Sequence, residues 1–305
     1  MNLVGDIGGT RARLALIDEA YELHYAAVFD NDDYADFAAL LGAWLKTLPE
    51  MPERGCLAIA APVTPETRSV HLVNRATWRI DAPALESAYN IAHIALANDF
   101  AAAAMGVPSC SSTAKILQDG VVHHDSTCLV IGAGTGLGVA ALIHDGSKWR
   151  VLPGEGGHFS FAPQNDVQDA LNRHLRTIHG RVIAEHVVSG SGLAAIHAFL
   201  HGETLAPVQV SQRANAGDAR ALASFDLFAS AYGTIVGDYA LAVMARGGVF
   251  LAGGIAAANL DLMRRGPFLD AFRHKEAHSG IMAELPVSVL TEPLLALYGA
   301  ARLIK

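Results

Sequence analysis

Two glycine turns, a carboxylate–imidazole cluster and one polar pair in an apolar run are the residues best suited to chemistry. The polar pair is Asn98-Asp99, inside "IALANDFAAAAM" (residues 94–105), where nearly every other side chain is small or apolar. One reading is structural. Residues 94–97 make a short buried strand, residues 100–105 begin an alanine-rich helix, and an Asn or Asp at the helix start accepts an orphan N–H and suits the dipole. The other is functional: a carboxylate at the carboxyl end of a strand, where α/β folds hold their ligands. The pair alone leaves both open.

The glycine turns are Gly8, Gly9 and Thr10 in "VGDIGGTRARLAL" and Gly134, Thr135 and Gly136 in "GAGTGLGVA". Glycine lets backbone N–H groups approach an anion with no Cβ in the way, so each turn is a candidate phosphate cradle. Each also fits an ordinary tight turn. The second departs from G-x-G-x-x-G and leads into strand-like "VAALI", which argues against a dinucleotide fingerprint, and no G-x-x-x-x-G-K-[ST] occurs. Asp6, just before the first turn, is a hard oxygen ligand suited to Mg²⁺, directly or through water; the alternative is a turn-stabilising Asp. A third glycine cluster, "GGVFLAGGIAA" (residues 247–257), reads as strand, turn and helix. Its Gly253-Gly254 pair could admit a flat ring or a ribose against the backbone.

"LPGEGGHFSFAP" presents Glu155 and His158 on a glycine-rich loop, and Glu185 follows in "VIAEHVVSGSG". E-x-x-H can be half of a helical di-metal site, but two of its four residues here are glycine and no helical partner motif exists. A neutral, hydroxyl-rich ligand suits these groups better, because carboxylates and an imidazole exchange hydrogen bonds with several hydroxyls at once. A loop histidine satisfied within the protein is the plainer alternative for His158. With Asn98 and Asp99, five side chains become candidate polyol contacts. Phosphate cradles beside a polyol pocket describe a sugar kinase, with Asp99 taking the proton of the attacking hydroxyl.

These groups need elements to position them. Each glycine turn lies between two apolar runs, so each predicts a β-hairpin: "LVGDIGGTRARLALID" and, echoing it, "LVIGAGTGLGVAALIHD". After the first hairpin the pattern predicts a strand near 25–29, a helix over 34–48, a strand over 56–61, the short run "SVHLV" and a helix from Ala82 capped by Asp81. Strands alternating with helices indicate an α/β protein, and the echo suggests two related lobes with a ligand cleft between them. The 305 residues are 51% hydrophobic and 17% charged, enough to build a large core. A formal net charge of -8 argues against nucleic acid as a partner. Cys56, Cys110 and Cys128 are too few and too scattered for a disulfide framework or a zinc knuckle, which fits a reducing, cytoplasmic setting. "MNLVGDIGG" has no signal-peptide character, and the uncharged run 128–143 is short and glycine-broken, so no membrane partner is expected.

Taken together, "VGDIGGTRARLAL", "LANDFAAAAMGVP", "GAGTGLGVA", "LPGEGGHFSFAP", "AEHVVSGSGL" and "GGVFLAGGI" resemble, in order and spacing, the bacterial glucokinases, in the superfamily of hexokinase, actin and the heat-shock ATPases. The resemblance runs the whole chain. It implies a two-lobed actin-like ATPase (ribonuclease H-like) α/β fold with a cleft between a small domain, 1–108 plus 289–305, and a large one, 109–288. It implies ATP-dependent phosphorylation of D-glucose to glucose 6-phosphate at the entry to glycolysis, ATP and Mg²⁺ as cofactors, and a homodimer. By the same resemblance Asp99 is the base, with Asn98, Glu155, His158 and Glu185 around the sugar. Asp6, Gly8, Gly9, Thr10, Gly134, Thr135 and Gly136 serve the phosphates and Mg²⁺, and Gly253 and Gly254 lie near the adenosine. Departures exist. Arg11 stands where the family usually has Asn, "SGSGL" replaces S-G-P-G-L at Ser191, and Ala61 stands where Cys is frequent. Two readings compete: a kinase for another hexose, and a non-catalytic sugar sensor on the same fold, for which no helix-turn-helix is expected ahead of the strand beginning at Leu3.

Overall fold

Each glycine turn closes a hairpin. β1 (Asn2–Ile7) and β2 (Arg11–Ile17) pair antiparallel, ending at Ile7 opposite Ala12 over the Gly8–Thr10 turn. The computed structural model describes residues 1–64, 66–73 and 75–304. The chain divides into two compact units, Met1–Ser112 with Glu292–Lys305, and Thr113–Thr291.

In the first unit β3 (Leu23–Asp30), β4 (Arg54–Ile59), β5 (Ser69–Leu72), β6 (Arg75–Asp81) and β7 (His93–Asn98) join β1 and β2. The main sheet has the order β3-β2-β1-β4-β7; β5 and β6 pair separately. β4 lies parallel to both β1 and β7, and its five buried residues, Gly55 to Ile59, show the near-continuous burial of a central parallel strand. Helix α1 covers Phe37–Leu45, shorter than the 34–48 expected. Asp36 caps it, accepting the Ala39 N–H at 2.8 Å, and residues 31–33 form a separate single turn. Asp81 caps α2 (Ala82–Tyr89), accepting the Ala84 N–H at 3.1 Å. The strand expected over 56–61 runs instead over Arg54–Ile59, and β6 went unforeseen. α3 (Asp99–Cys110) follows β7 directly. The C-terminal helix Leu295–Arg302 packs on α3 and β1.

The second unit repeats the plan. β8 (Lys115–Gln118), β9 (Cys128–Ala133), β10 (Leu137–His144), β11 (Trp149–Gly154), β12 (Gly248–Ala252) and β13 (Val287–Val289) form a sheet of order β11-β10-β9-β12-β13-β8. Three antiparallel strands followed by two parallel ones reproduce the first unit's main sheet, with β8 added at one edge. The internal echo in the sequence is therefore an echo of topology. α4 (Asp166–His179), α5 (Gly190–His201), α6 (Pro207–Asn215), α7 (Ala219–Ala242) and α8 (Gly254–Ala258) belong to this unit. α7 carries Phe225, Phe228 and Tyr232, all fully buried in a core shared with β9 and β12. Among the described residues no helix is long and apolar enough to cross a membrane.

Candidate active site

The first unit places two of the sequence motifs at one end of one sheet. In the parallel registers Ile7 faces Ile59 and Ile59 faces Asn98. The Gly8–Thr10 turn and Asn98-Asp99 thus leave the carboxyl ends of β1 and β7, on either side of β4, about 10 Å apart at two strand spacings. Asn98 settles part of the structural question. It is the N-cap of α3, its Oδ1 accepting the N–H groups of Phe100 at 3.0 Å and Ala101 at 2.9 Å. Its Nδ2 donates to the Ala61 carbonyl at 3.2 Å and to Asp99 Oδ1 at 3.1 Å. Asp99 is the first helical residue, and the same Oδ1 accepts the Phe100 N–H at 2.8 Å. The helix therefore has its cap in Asn98, and the carboxylate beside it is aimed by two donors.

Asp6 sits in β1 directly opposite Arg13, whose Nη1 donates to Asp6 Oδ2 at 2.8 Å. Burial pushes the Asp6 carboxyl above its ordinary value, and the Arg13 guanidinium opposes that rise. Arg13 was not anticipated, although a hairpin turning at Gly8–Thr10 pairs residues 6 and 13 by simple counting. Gly8 and Gly9 are half-buried; Thr10 and Arg11 are exposed. Three successive carbonyls of this turn go to Asn31. Its Nδ2 donates to Gly8 O at 2.9 Å and Gly9 O at 3.1 Å, and its own N–H to Thr10 O at 2.8 Å. In a planar trans peptide the N–H points opposite to the preceding carbonyl. The N–H groups of Gly9 and Thr10 therefore face away from Asn31, as an anion cradle requires.

In the second unit the remaining candidates converge on the carboxyl end of β9. The Gly134–Gly136 turn joins β9 to β10, with the Gly134 carbonyl accepting the Gly190 N–H at 2.8 Å. Glu185 Oε2 accepts the Leu137 N–H at 2.8 Å, and a Cβ on Gly136 would lie 2.5 Å from that oxygen. A side chain there would push the Glu185 carboxylate off the Leu137 N–H. Glu155 and His158 are exposed on a turn whose Gly157 abuts the Leu137 carbonyl. That strand of loop pairs with Glu185's segment, Ala184 N–H to Phe159 O at 2.8 Å and Phe161 N–H to Val182 O at 3.2 Å. Gly253, with φ +85°, follows β12, which runs parallel to β9; a Cβ there would lie 2.5 Å from the Ala133 carbonyl. Gly254 begins α8.

The five polyol candidates are thus split, Asn98 and Asp99 in one unit and Glu155, His158 and Glu185 in the other. The residues that reasoning from sequence missed are those that hold these in place: Arg13, Asn31 and, through its backbone, Gly190. Among the described residues no group of three or more His, Cys, Asp or Glu side chains could hold a metal ion. Thiol chemistry also finds little support. Burial pushes the Cys110 thiol up to about 11 and that of Cys128 up to about 12, far from the thiolate a nucleophile needs.

Comparison with known proteins gives the family of the chain. The family profile described as Glucokinase matches residues 3–305. A glucokinase of Chromohalobacter salexigens is 37% identical over 98% of this chain and 95% of its own. The crystal structure of a glucokinase from an Antarctic psychrotroph superposes with a TM-score of 0.87 at 32% identity, covering 98% of this chain and 97% of that one. A glucokinase of the ROK family from Streptomyces griseus, solved with glucose and AMPPNP, shares the fold at a TM-score of 0.66 and 20% identity, over 99% of this chain and 98% of that one. The α/β architecture is the actin-like ATPase fold of these kinases. With a family match along almost its full length and a relative above one-third identity, the chain belongs to the glucokinase family.

Proposed function

We infer that Asp99 is the general base of this enzyme, which transfers the γ-phosphoryl group of ATP to D-glucose and releases ADP and glucose 6-phosphate. The observation that carries the assignment is the shared end of the first unit's sheet. There a glycine turn with outward N–H groups and a carboxylate fixed by Asn98 and Phe100 leave parallel strands at the same level. In this reading Asp99 accepts the proton of the glucose 6-hydroxyl as that oxygen attacks phosphorus. Asn98 holds Asp99 and contacts the sugar. Glu155, His158 and Glu185 take the other hydroxyls.

Gly8, Gly9 and Thr10 receive phosphate oxygens on backbone N–H groups, as do Gly134, Thr135 and Gly136, while Gly253 and Gly254 lie against the adenosine. Mg²⁺ fits this site as a companion of the nucleotide. It keeps most of its waters and needs only one or two carboxylates besides the phosphates, and Asp6 is the one placed at the turn. With Oδ2 engaged by Arg13, Asp6 would hold the ion with its remaining carboxylate oxygen, directly or through water. When bound, Mg²⁺ neutralises charge on the phosphates. Family membership also supports a cytoplasmic homodimer that feeds glycolysis. The sensor reading has nothing comparable in its favour: the carboxylate is present and held in place.

A coupled ADP-release assay across a panel of hexoses, with ATP and polyphosphate as donors, tests the activity. Turnover with glucose and ATP is expected to exceed every other pairing. A preference for another hexose would move the enzyme to that substrate.

Two further outcomes follow from the geometry. Glu155 is exposed and acts on the sugar alone, so Glu155→Gln should weaken glucose binding by about 1–3 kcal/mol while ATP affinity stays put. Glu185 also anchors the second glycine turn through Leu137, so Glu185→Ala should weaken both ligands, which calorimetry with each resolves. Arg11 is exposed beside Thr10 and offers a charge-assisted donor to the β- or γ-phosphate. Arg11→Asn should raise the KM for ATP several-fold at unchanged KM for glucose. An identical ATP constant would leave Arg11 as a surface residue.

A further inference from the structure

We propose that Asn31 is a positioning residue for the phosphate-binding turn: it aims the Gly9 and Thr10 N–H groups by holding three successive carbonyls of that turn from behind. The inference rests on the reading of Gly8–Thr10 as a phosphate cradle and adds the residue that keeps the cradle in shape.

Asn31 lies more than twenty residues from the turn, in the single helical turn after β3, and is fully buried. Every contact it makes toward the turn is a donation. Nδ2 serves two carbonyls, Gly8 O and Gly9 O, and the backbone N–H serves Thr10 O. A glycine-rich turn has many accessible conformations, and an empty cradle would lose its aim by flipping one peptide. Flipping the Gly8–Gly9 or Gly9–Thr10 peptide here would break a buried hydrogen bond to Asn31 and turn an N–H inward. The amide thus carries, before any ligand arrives, the ordering that a flexible turn would otherwise undergo on binding.

The orientation of this amide is not in doubt chemically. Reversing it would set an oxygen against two carbonyl oxygens. Yet Asn31 Oδ1 is buried with no hydrogen-bond partner among the described residues. A buried acceptor of this kind calls for a reason. Two neighbouring carbonyls that each need an N–H supply it: of the side chains of this size, only Asn offers both donors in one neutral NH₂. The backbone carbonyl of Asn31 is fixed in turn by Arg75, whose Nη2 donates to it at 3.1 Å while Nη1 binds Asp32 at 2.7 Å. The clamp is therefore anchored to β6 as well as to β3.

Asn31→Asp keeps the shape and replaces the two-carbonyl donor by a carboxylate facing the same oxygens. In calorimetric titrations the variant should bind AMPPNP, with glucose saturating, at least tenfold more weakly than wild type. Its glucose affinity without nucleotide should stay within twofold, and steady-state assays should show a raised KM for ATP at little changed KM for glucose. A role in folding alone would lower both affinities or neither. Amide spectra of ¹⁵N-labelled wild type separate the two layers of the argument. If AMPPNP does not shift the Gly9 and Thr10 signals, the cradle reading fails whatever Asn31 does. If it shifts them and folded Asn31→Asp binds AMPPNP as tightly as wild type, or loses glucose in parallel, the positioning role is overturned. Should Asn31→Asp not fold, the small and neutral Asn31→Ser carries the same comparison, with at least a fivefold loss for AMPPNP alone supporting the proposal and unchanged AMPPNP binding overturning it.

Discussion

Asp99→Asn is expected to lower kcat by about 10²–10⁴, the usual contribution of a positioned base, while the glucose dissociation constant moves little. The substitution keeps size and leaves an oxygen to accept the Phe100 N–H, now held at 2.8 Å, and the Asn98 Nδ2, now at 3.1 Å. What it removes is the basic oxygen. Stability should hardly change, because the cap of α3 is Asn98 and not the residue after it. The complementary change separates the two roles. Asn98→Ala deletes the cap and the donors to Ala61 and Asp99, so it should cost about 1 kcal/mol or more of stability and also slow turnover. Rapid-quench measurement of the chemical step, beside urea unfolding, reads both. A folded Asp99→Asn protein with wild-type turnover would remove the base from the mechanism.

The same pair shows where a sequence stops being informative. Adjacent Asn and Asp before an alanine-rich helix announce an N-terminus, but either can cap it; only the backbone direction at residue 98 decides. The two glycine hairpins were legible because each turn lies between apolar runs whose ends the strand register then confirms. The start of α1 was misplaced because Tyr34 and Phe37 are both compatible with a helical face, whereas Asp36 competes for the backbone and starts the helix one residue later. β6 alternates buried Trp78 and Ile80 with Arg75 and Arg79, a period-2 signal weakened by its charges. The supporting residues were the least legible. Arg13 is found only once the hairpin register is drawn, and Asn31 leaves no local pattern at all, since it acts on a turn that the fold brings back to it. Ligand-facing groups recur as recognisable types in a chain; the groups that aim them are fixed by tertiary structure.

Gly299→Ala is expected to be the most damaging single methyl in the first unit, although it enlarges a small residue by the least possible amount. A Cβ at Gly299 would fall on the Ala102 carbonyl, and one at Gly106 on the Leu295 carbonyl. Ala102 and Gly106 share a face of α3, as Leu295 and Gly299 share a face of the C-terminal helix, so the two helices meet backbone to backbone. No rotamer relieves a Cβ that meets main-chain atoms. The helices must separate, which should cost about 3 kcal/mol or more, the upper part of the range for overpacking. The consequence reaches the chemistry because α3 begins with Asp99. Displacing the helix moves the carboxylate relative to the glycine turn across β4, and a misplacement of about 1 Å can cost on the order of 10² in rate. The folded fraction of Gly299→Ala should therefore show a lower urea midpoint and a lower kcat together. Gly280→Ala is the matched control. It is exposed in the helix Ser279–Glu284, a Cβ there would meet nothing within 4 Å, and the change should be neutral or stabilise by about 0.4–1 kcal/mol. If Gly299→Ala instead unfolds and turns over like wild type, the close helix contact does not set the position of the base, and α3 must be held by β7 and its cap alone.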